Sequence, residues 1–353
     1  MFIVVDNLTI CFLVGVLFLL ILVSSVVRWL RRYEDYGVDP AILCSFRARI
    51  RAWWILFGSI ACVFMLGSFA TVLLFFVMSI SALREYITLT PKSPVDHQTL
   101  FWIYVFFTPL QFVLVGVNPV WFESVTGIVP YQLFSILLPG YVFLILPGFM
   151  AVSGDPKRFL ERTAKLQLGL MICVYSLSYV PAILTMDVPV ISGEVTVDLP
   201  TETVSMLVLS DYFPLVSGVN FRLLFFFVVV VQLGDVFQYL WSQVPSRHVV
   251  APKINSNRTW EGVFVGVISS GLLGVAIWYF TPFSQWWHSG LIAMVVSFIG
   301  FCGSMTMSAI KRDRGVSGYR TLIQGHNGTL DRIDSLCFAA PVFYHLAWLF
   351  IGT

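Results

Sequence analysis

The chain has 353 residues, of which 58% are hydrophobic and 11% charged, where a soluble domain carries about 25% charged residues; its mean hydropathy is +0.86. With 21 Lys and Arg against 19 Asp and Glu, the net charge is only +2, so no global field attracts nucleic acid. These figures exclude an ordinary soluble globular protein and predict an all-α, polytopic integral membrane protein, with 32 Phe and 11 Trp available for lipid-facing surfaces and interfacial belts.

The first apolar run, 8–27, is expected to be a retained start helix, because Asp6 precedes it and Arg28, Arg31 and Arg32 follow it, the reverse of a cleavable signal. Further apolar runs occupy 52–83, 100–117, 131–148, 166–186, 220–241, 262–281, 288–307 and 335–351. As one helix, 52–83 would run about 48 Å, well beyond the hydrocarbon core. It therefore reads as two short spans turning near Gly67 and Ser68. Cysteines at 11, 44, 62, 173, 302 and 337 form no C-x-x-C pair, so neither a disulfide framework nor a zinc site is expected.

The positive-inside rule puts Arg28, Arg31, Arg32, Arg47, Arg49 and Arg51 in the cytoplasm. With a hairpin at 52–83, the loops holding Lys157 to Lys165, Arg247 to Arg258 and Lys311 to Arg332 all fall inside. The acidic loop with Asp187, Glu194, Asp198 and Glu202 falls outside. The expectation is about ten transmembrane helices with both termini outside, and an interfacial or re-entrant segment over 203–219. Residues 1–200 would form spans 1 to 6, and residues 201–353 a catalytic membrane domain with cytoplasmic loops 242–261 and 308–334.

Three polar groups carry the chemistry. Asp235 lies in the apolar run 221–241, with Gln238 and Tyr239 on the same helix face, and a carboxylate near a membrane is a functional-site hypothesis by default. The loop 251–262 gathers Lys253, Asn255, Ser256, Asn257, Arg258, Thr259 and Glu261 between Pro252 and Gly262, donors suited to phosphate; Thr259 is expected to cap a helix beginning near Trp260. Alone, this loop would equally be an ordinary positive-inside loop. In the third group, Asp331 and Asp334 share one helix face at the start of the last span and are placed to hold a hard divalent cation such as Mg²⁺. Lys311, Arg312, Arg314, Arg320 and Arg332 crowd the same loop with Gly325 and Gly328. His326 is a candidate phosphate donor or acid/base group. Carboxylates with clustered cations read as a metal and polyphosphate site; the plainer reading, carboxylates favouring a helix N-terminus and pairing with Arg332 or Lys311, does not explain why both loops lie beside Asp235.

At these residues the sequence resembles the phosphatidate cytidylyltransferase (CDP-diacylglycerol synthase) family. That family's signature runs S-x-x-K-R, four residues, K-D, then a Gly-containing stretch ending P-x-H-G-G-x-x-D-R-x-D. Ser308, Lys311, Arg312, His326, Gly328, Asp331, Arg332 and Asp334 fall at the matching spacings. Pro252, Lys253, Thr259, Trp260, Glu261 and Gly262 resemble a second phrase, with Ile254 to Asn257 as extra residues, and the phrase S-A-L-R-E-Y ending at Tyr86 is also similar. The family's K-D pair falls on Ser317 and Gly318, its Pro on Gln324 and the first Gly of H-G-G on Asn327.

The resemblance implies that CTP and phosphatidate give CDP-diacylglycerol and pyrophosphate at the cytoplasmic face of a bacterial inner membrane. Asp331 and Asp334 would bind Mg²⁺, with Asp235 completing the metal site or orienting a ligand. Lys311, Arg312, Lys253 and Arg258 would hold the triphosphate or the lipid phosphate, with Ser308, Thr259, Arg332 and His326 supporting them. A monovalent cation beside Mg²⁺ and a homodimer are left open, and no nucleic acid is expected. Two other readings stand beside this one. The first is a diverged paralogue acting on another lipid phosphate, motivated by Ser317 and Gly318. The second is a non-catalytic scaffold or transporter, against which the polar groups collect in loops rather than at the midplane.

Overall fold

The structure, a computed structural model, describes residues 7–32, 50, 54, 57–61, 67–88, 97–152, 155–186, 218–244, 248–315 and 328–351. It is an assembly of apolar helices: α1 (Asn7–Arg32), α2 (Ser68–Thr88), α3 (His97–Gly116), the short α4 (Pro119–Thr126), α5 (Pro130–Val152), α6 (Phe159–Thr185), α7 (Gly218–Trp241), α8 (Trp260–Ala276), α9 (Trp286–Asp313) and α10 (Leu330–Ile351). Among the described residues, eight helices are long and apolar enough to cross a membrane, and α8 is a shorter apolar helix. Nine of the ten expected spans therefore have a helix. The first arm of the expected hairpin lies largely outside the described residues, although 57–61 are helical. Gly67 takes φ 101°, a left-handed value that favours glycine, and α2 begins at Ser68, where the second of the two spans is expected to start. The acidic loop, the segment 203–217 and residues 316–327, with His326, lie outside the described residues.

Helix α7 is the axis of the fold. Every residue from Phe221 to Val231 is buried, as a helix apolar all round must be, and α7 packs on α1, α8, α9 and α10. Helix α1 touches it through one stripe, Phe12, Val16 and Leu20, and exposes Ile10, Val14, Leu17, Phe18, Ile21 and Leu22. Helix α10 joins the two parts of the chain, packing on α7 and α9 and also on α2 and α6, so residues from both parts share one core.

Small residues set the close crossings. Gly262, Gly266, Ser270 and Gly274 recur every fourth residue along α8. A Cβ on Gly266 would stand 2.5–2.7 Å from Gln238, including its backbone nitrogen, and one on Gly274 would stand 2.6 Å from the Ser289 carbonyl oxygen. Close backbone approach on such a stripe is how helices associate in lipid, where no hydrophobic force separates helix from tail. One interior proline is compensated by a side chain. Pro147, inside α5, cannot donate to the Phe143 carbonyl, and Gln167 of α6 supplies that hydrogen bond instead at 2.8 Å.

The segment 242–261, expected as a loop between spans, contains a small antiparallel hairpin. Strand β1 (Val249–Ala251) pairs with β2 (Asn255–Thr259), Val249 opposite Thr259 and Ala251 opposite Asn255, around a turn at Pro252–Ile254 closed by Ile254 N–H donating to the Ala251 carbonyl at 3.0 Å. The extra residues Ile254 to Asn257 supply the end of that turn and the start of β2. They let the backbone of a polar loop satisfy itself beside the membrane.

Candidate active site

The polar groups meet at one end of the bundle. Helix α7 carries Asp235 within its last two turns, β2 carries Arg258, and α10 carries Asp331, Asp334 and Ser335 in its first two. The Ser335 hydroxyl donates to Asp235 Oδ2 at 2.7 Å and stands 3.4 Å from Asp334 Oδ1, so one hydroxyl lies between two carboxylates. Asp334 Oδ1 also accepts the Ser335 N–H at 2.8 Å. From the other side Arg258, 6% exposed at its side chain, reaches Asp235 with Nη2 3.4 Å from Oδ1 and Nη1 3.5 Å from the Asp235 carbonyl oxygen.

Arg258, expected from the resemblance to hold the triphosphate or the lipid phosphate, is the partner of Asp235 in this structure. A partly buried carboxylate is favoured by a cation close by, and the hairpin delivers one. Lys311, at the end of α9, forms an ion pair with Asp331. The three carboxylates expected around one cation are thus divided: Asp235 and Asp334 flank Ser335, while Asp331 faces Lys311. Among the described residues no group of three or more His, Cys, Asp or Glu side chains is gathered as a metal site. The donor chemistry of the remaining pair still suits a hard cation, since Mg²⁺ takes one or two carboxylates and completes its shell with substrate phosphate and water.

The surrounding contacts fix this end of the molecule. Thr259 caps α8 as expected, its Oγ1 accepting the Gly262 N–H at 3.2 Å. Ser242 donates to the Gln238 carbonyl at 2.7 Å and accepts the Thr259 N–H at 3.4 Å, joining α7 to the cap. Arg312 Nε donates to the Ile254 carbonyl at 3.2 Å, tying the end of α9 to the hairpin turn. Arg314 lies 3.3 Å from Asp313 and 4.0 Å from Glu161 of α6. Asp313 and Arg314 pair with each other, and Arg314 also reaches α6. The three basic loops expected on one side do lie together. Lys253 is exposed at the hairpin turn, Arg332 is half-buried, and Ser308 donates back to the Ser304 carbonyl at 2.8 Å within α9.

Gln238 points away from the site, donating to the Ser297 carbonyl and Oγ of α9, both at 3.0 Å, and Ser270 of α8 joins them. Its role is interhelical. Two residues escape a reading by spacing. Ser335 follows Asp334 directly and no motif singles it out. Glu85, in the phrase S-A-L-R-E-Y of α2, accepts the N–H groups of Thr329 and Leu330 at the start of α10, at 2.7 and 2.8 Å.

Comparison with known proteins adds the relationship. A family model described as "Cytidylyltransferase family" matches residues 47–350. The chain is 32% identical over 333 residues to a protein of Escherichia coli K12 named "Uncharacterized protein YnbB", covering 93% of this chain and 94% of that one. It is 31% identical over 132 residues to a phosphatidate cytidylyltransferase of Staphylococcus epidermidis, covering 37% of this chain and 51% of the relative. With the phosphatidate cytidylyltransferase of Staphylococcus aureus strain COL the figures are 33% over 116 residues, 32% and 44%, so the chain matches about half the length of these two enzymes. The match across residues 47–350 spans the helices that build the site and both polar loops: the chain belongs to the cytidylyltransferase family.

Proposed function

We propose that this protein transfers the cytidylyl group of CTP to phosphatidate, giving CDP-diacylglycerol and pyrophosphate in phospholipid biosynthesis. The observation that carries the reading is the meeting of Asp235, Asp334 and Ser335 with Arg258 of the hairpin, beside the Lys311–Asp331 pair, at one end of a membrane bundle. There a soluble nucleotide can meet a lipid headgroup.

In the reaction a phosphate oxygen of the lipid attacks the α-phosphorus of CTP. One P–O bond forms, the bond to the β-phosphate breaks, and pyrophosphate leaves with the electron pair. Such chemistry asks mainly for positioning and charge neutralisation. Asp235 and Asp334 would hold Mg²⁺, with Asp331 close enough in sequence and face to contribute. When bound, the metal supplies charge neutralisation of the phosphates and polarisation of their oxygens. Arg258 balances Asp235 and fixes its orientation, and Ser335 holds the two carboxylates in register. Lys311 and Arg312 at the end of α9, with Lys253 at the hairpin turn, bind the triphosphate, and Arg332, Ser308, Thr259 and His326 support the phosphates. Burial around Arg258 and Ser335 excludes water as a competing nucleophile. The excess of basic residues in the three neighbouring loops supports a site facing the cytoplasm, in a bacterial inner membrane.

A second reading, transfer to a different lipid phosphate, is favoured by Ser317 and Gly318 standing in the family's K-D positions. The purified protein in detergent, given labelled CTP, Mg²⁺ and a panel of lipid phosphates, distinguishes them. Pyrophosphate release with phosphatidate is the expected result; release with another lipid phosphate alone would transfer the proposal to that lipid, and release with none would overturn both.

A further inference from the structure

We infer that Glu85 is a positioning residue for the carboxylates of α10, an inference that rests on the catalytic reading of that helix. Glu85 is 7% exposed, and both its oxygens accept backbone N–H groups, Oε1 from Thr329 at 2.7 Å and Oε2 from Leu330 at 2.8 Å. The first four N–H groups of a helix have no partner within it, and a carboxylate placed there is favoured both by the hydrogen bonds and by the helix dipole. What is unusual is the origin of the carboxylate, 244 residues before Thr329, on a helix in the other part of the chain.

Two contacts make α2 a firm support. Tyr86, 2% exposed, lies so close to Gly169 of α6 that a Cβ there would stand 2.6 Å from its ring. Ser79 donates to the Cys173 carbonyl of α6 at 2.7 Å. Glu85 thus grips Thr329 and Leu330 from a helix anchored on α6. The residue after Leu330 is Asp331, facing Lys311, and one turn on are Asp334 and Ser335, facing Asp235. A turn of α10 that slipped or frayed would move all three together. The clamp sets where the polar segment ends and the helix begins, and so sets the separation of Asp334 from Asp235.

Glu85→Gln tests this in the full chain, since it keeps the shape but turns an amide N–H₂ toward one of the two donors. Hydrogen exchange of the peptide covering 328–336 should accelerate about tenfold, the loss expected for a charge-assisted bond, while peptides from α7 and α8 keep wild-type rates. The Mn²⁺ concentration for half-saturation, read by the electron spin resonance of free Mn²⁺, should rise about tenfold. Turnover should fall through kcat with the KM for CTP little changed, and Glu85→Asp should recover part of both effects. Wild-type exchange at 328–336 would overturn the inference, as would acceleration spread evenly over the molecule, which marks a merely structural group. If the wild type turned over no lipid phosphate the catalytic reading would fail, and the exchange measurement would still decide whether Glu85 positions α10.

Discussion

Arg258 and Asp235 show what a single pairing does at the edge of a membrane. Arg258 is buried and Asp235 partly so, and removing the cation leaves that carboxylate uncompensated, so Arg258→Met is expected to destabilise the folded protein by about 1–3 kcal/mol, read by thermal unfolding in detergent. An unchanged midpoint would mean that Asp235 is held by other groups. Arg258→Lys keeps the charge but loses the fork that spans the Asp235 carboxylate and carbonyl, and should fall between the two. Ser335→Ala removes the hydroxyl between the two carboxylates; turnover should drop about tenfold, with a stability loss near 1 kcal/mol. The carboxylates of the site were legible in the sequence, Asp235 because it is costly within an apolar run and Asp331 and Asp334 because they stand three apart on one face of the last span. Their partners were not. Arg258 was readable as a cation but not as the mate of Asp235, since that pairing depends on a hairpin folding back over the end of α7, and Ser335 and Glu85 act through contacts that no spacing encodes.

At the scale of elements, α8 carries its packing in its sequence. Gly262, Gly266, Ser270 and Gly274 form one stripe, and Gly266→Ala must push its Cβ against the Gln238 backbone. A cost of about 1–3 kcal/mol is expected for such overpacking, with the unfolding midpoint as the measurement; a neutral result would mean that α7 and α8 stand farther apart. Thr259→Val removes the cap of the same helix and should cost about 1 kcal/mol. That cap was legible because a hydroxyl residue followed by an aromatic and a glutamate opens an apolar run. The hairpin was not legible. Its strands are short, and β2 reads N-S-N-R-T, a composition that favours turns. Pairing with Val249–Ala251 overrides that preference.

For the whole molecule, the alternation of apolar runs and basic loops foretold a helical membrane bundle and the side-by-side placement of three loops, joined through Arg312 to Ile254 and Arg314 to Glu161. The sharing of α10 between the two parts of the chain could not be foretold, because hydropathy fixes which segments span but not which helices touch. Orientation has its own test. A cysteine at Lys253, in a background without the native cysteines, should react with a membrane-impermeant maleimide in inverted vesicles and not in intact spheroplasts, and the opposite pattern would reverse the topology. Metal-dependent cytidylyl transfer built around Asp235 and Asp334 is measured by following labelled CTP and phosphatidate with Mg²⁺ in the purified protein, beside Asp334→Asn and a chelator control. CDP-diacylglycerol formed by the wild type, and reduced at least about a hundredfold by the substitution and by removal of the metal, is the expected result. Equal product from the wild type and from a folded Asp334→Asn variant, or none from either, would contradict it.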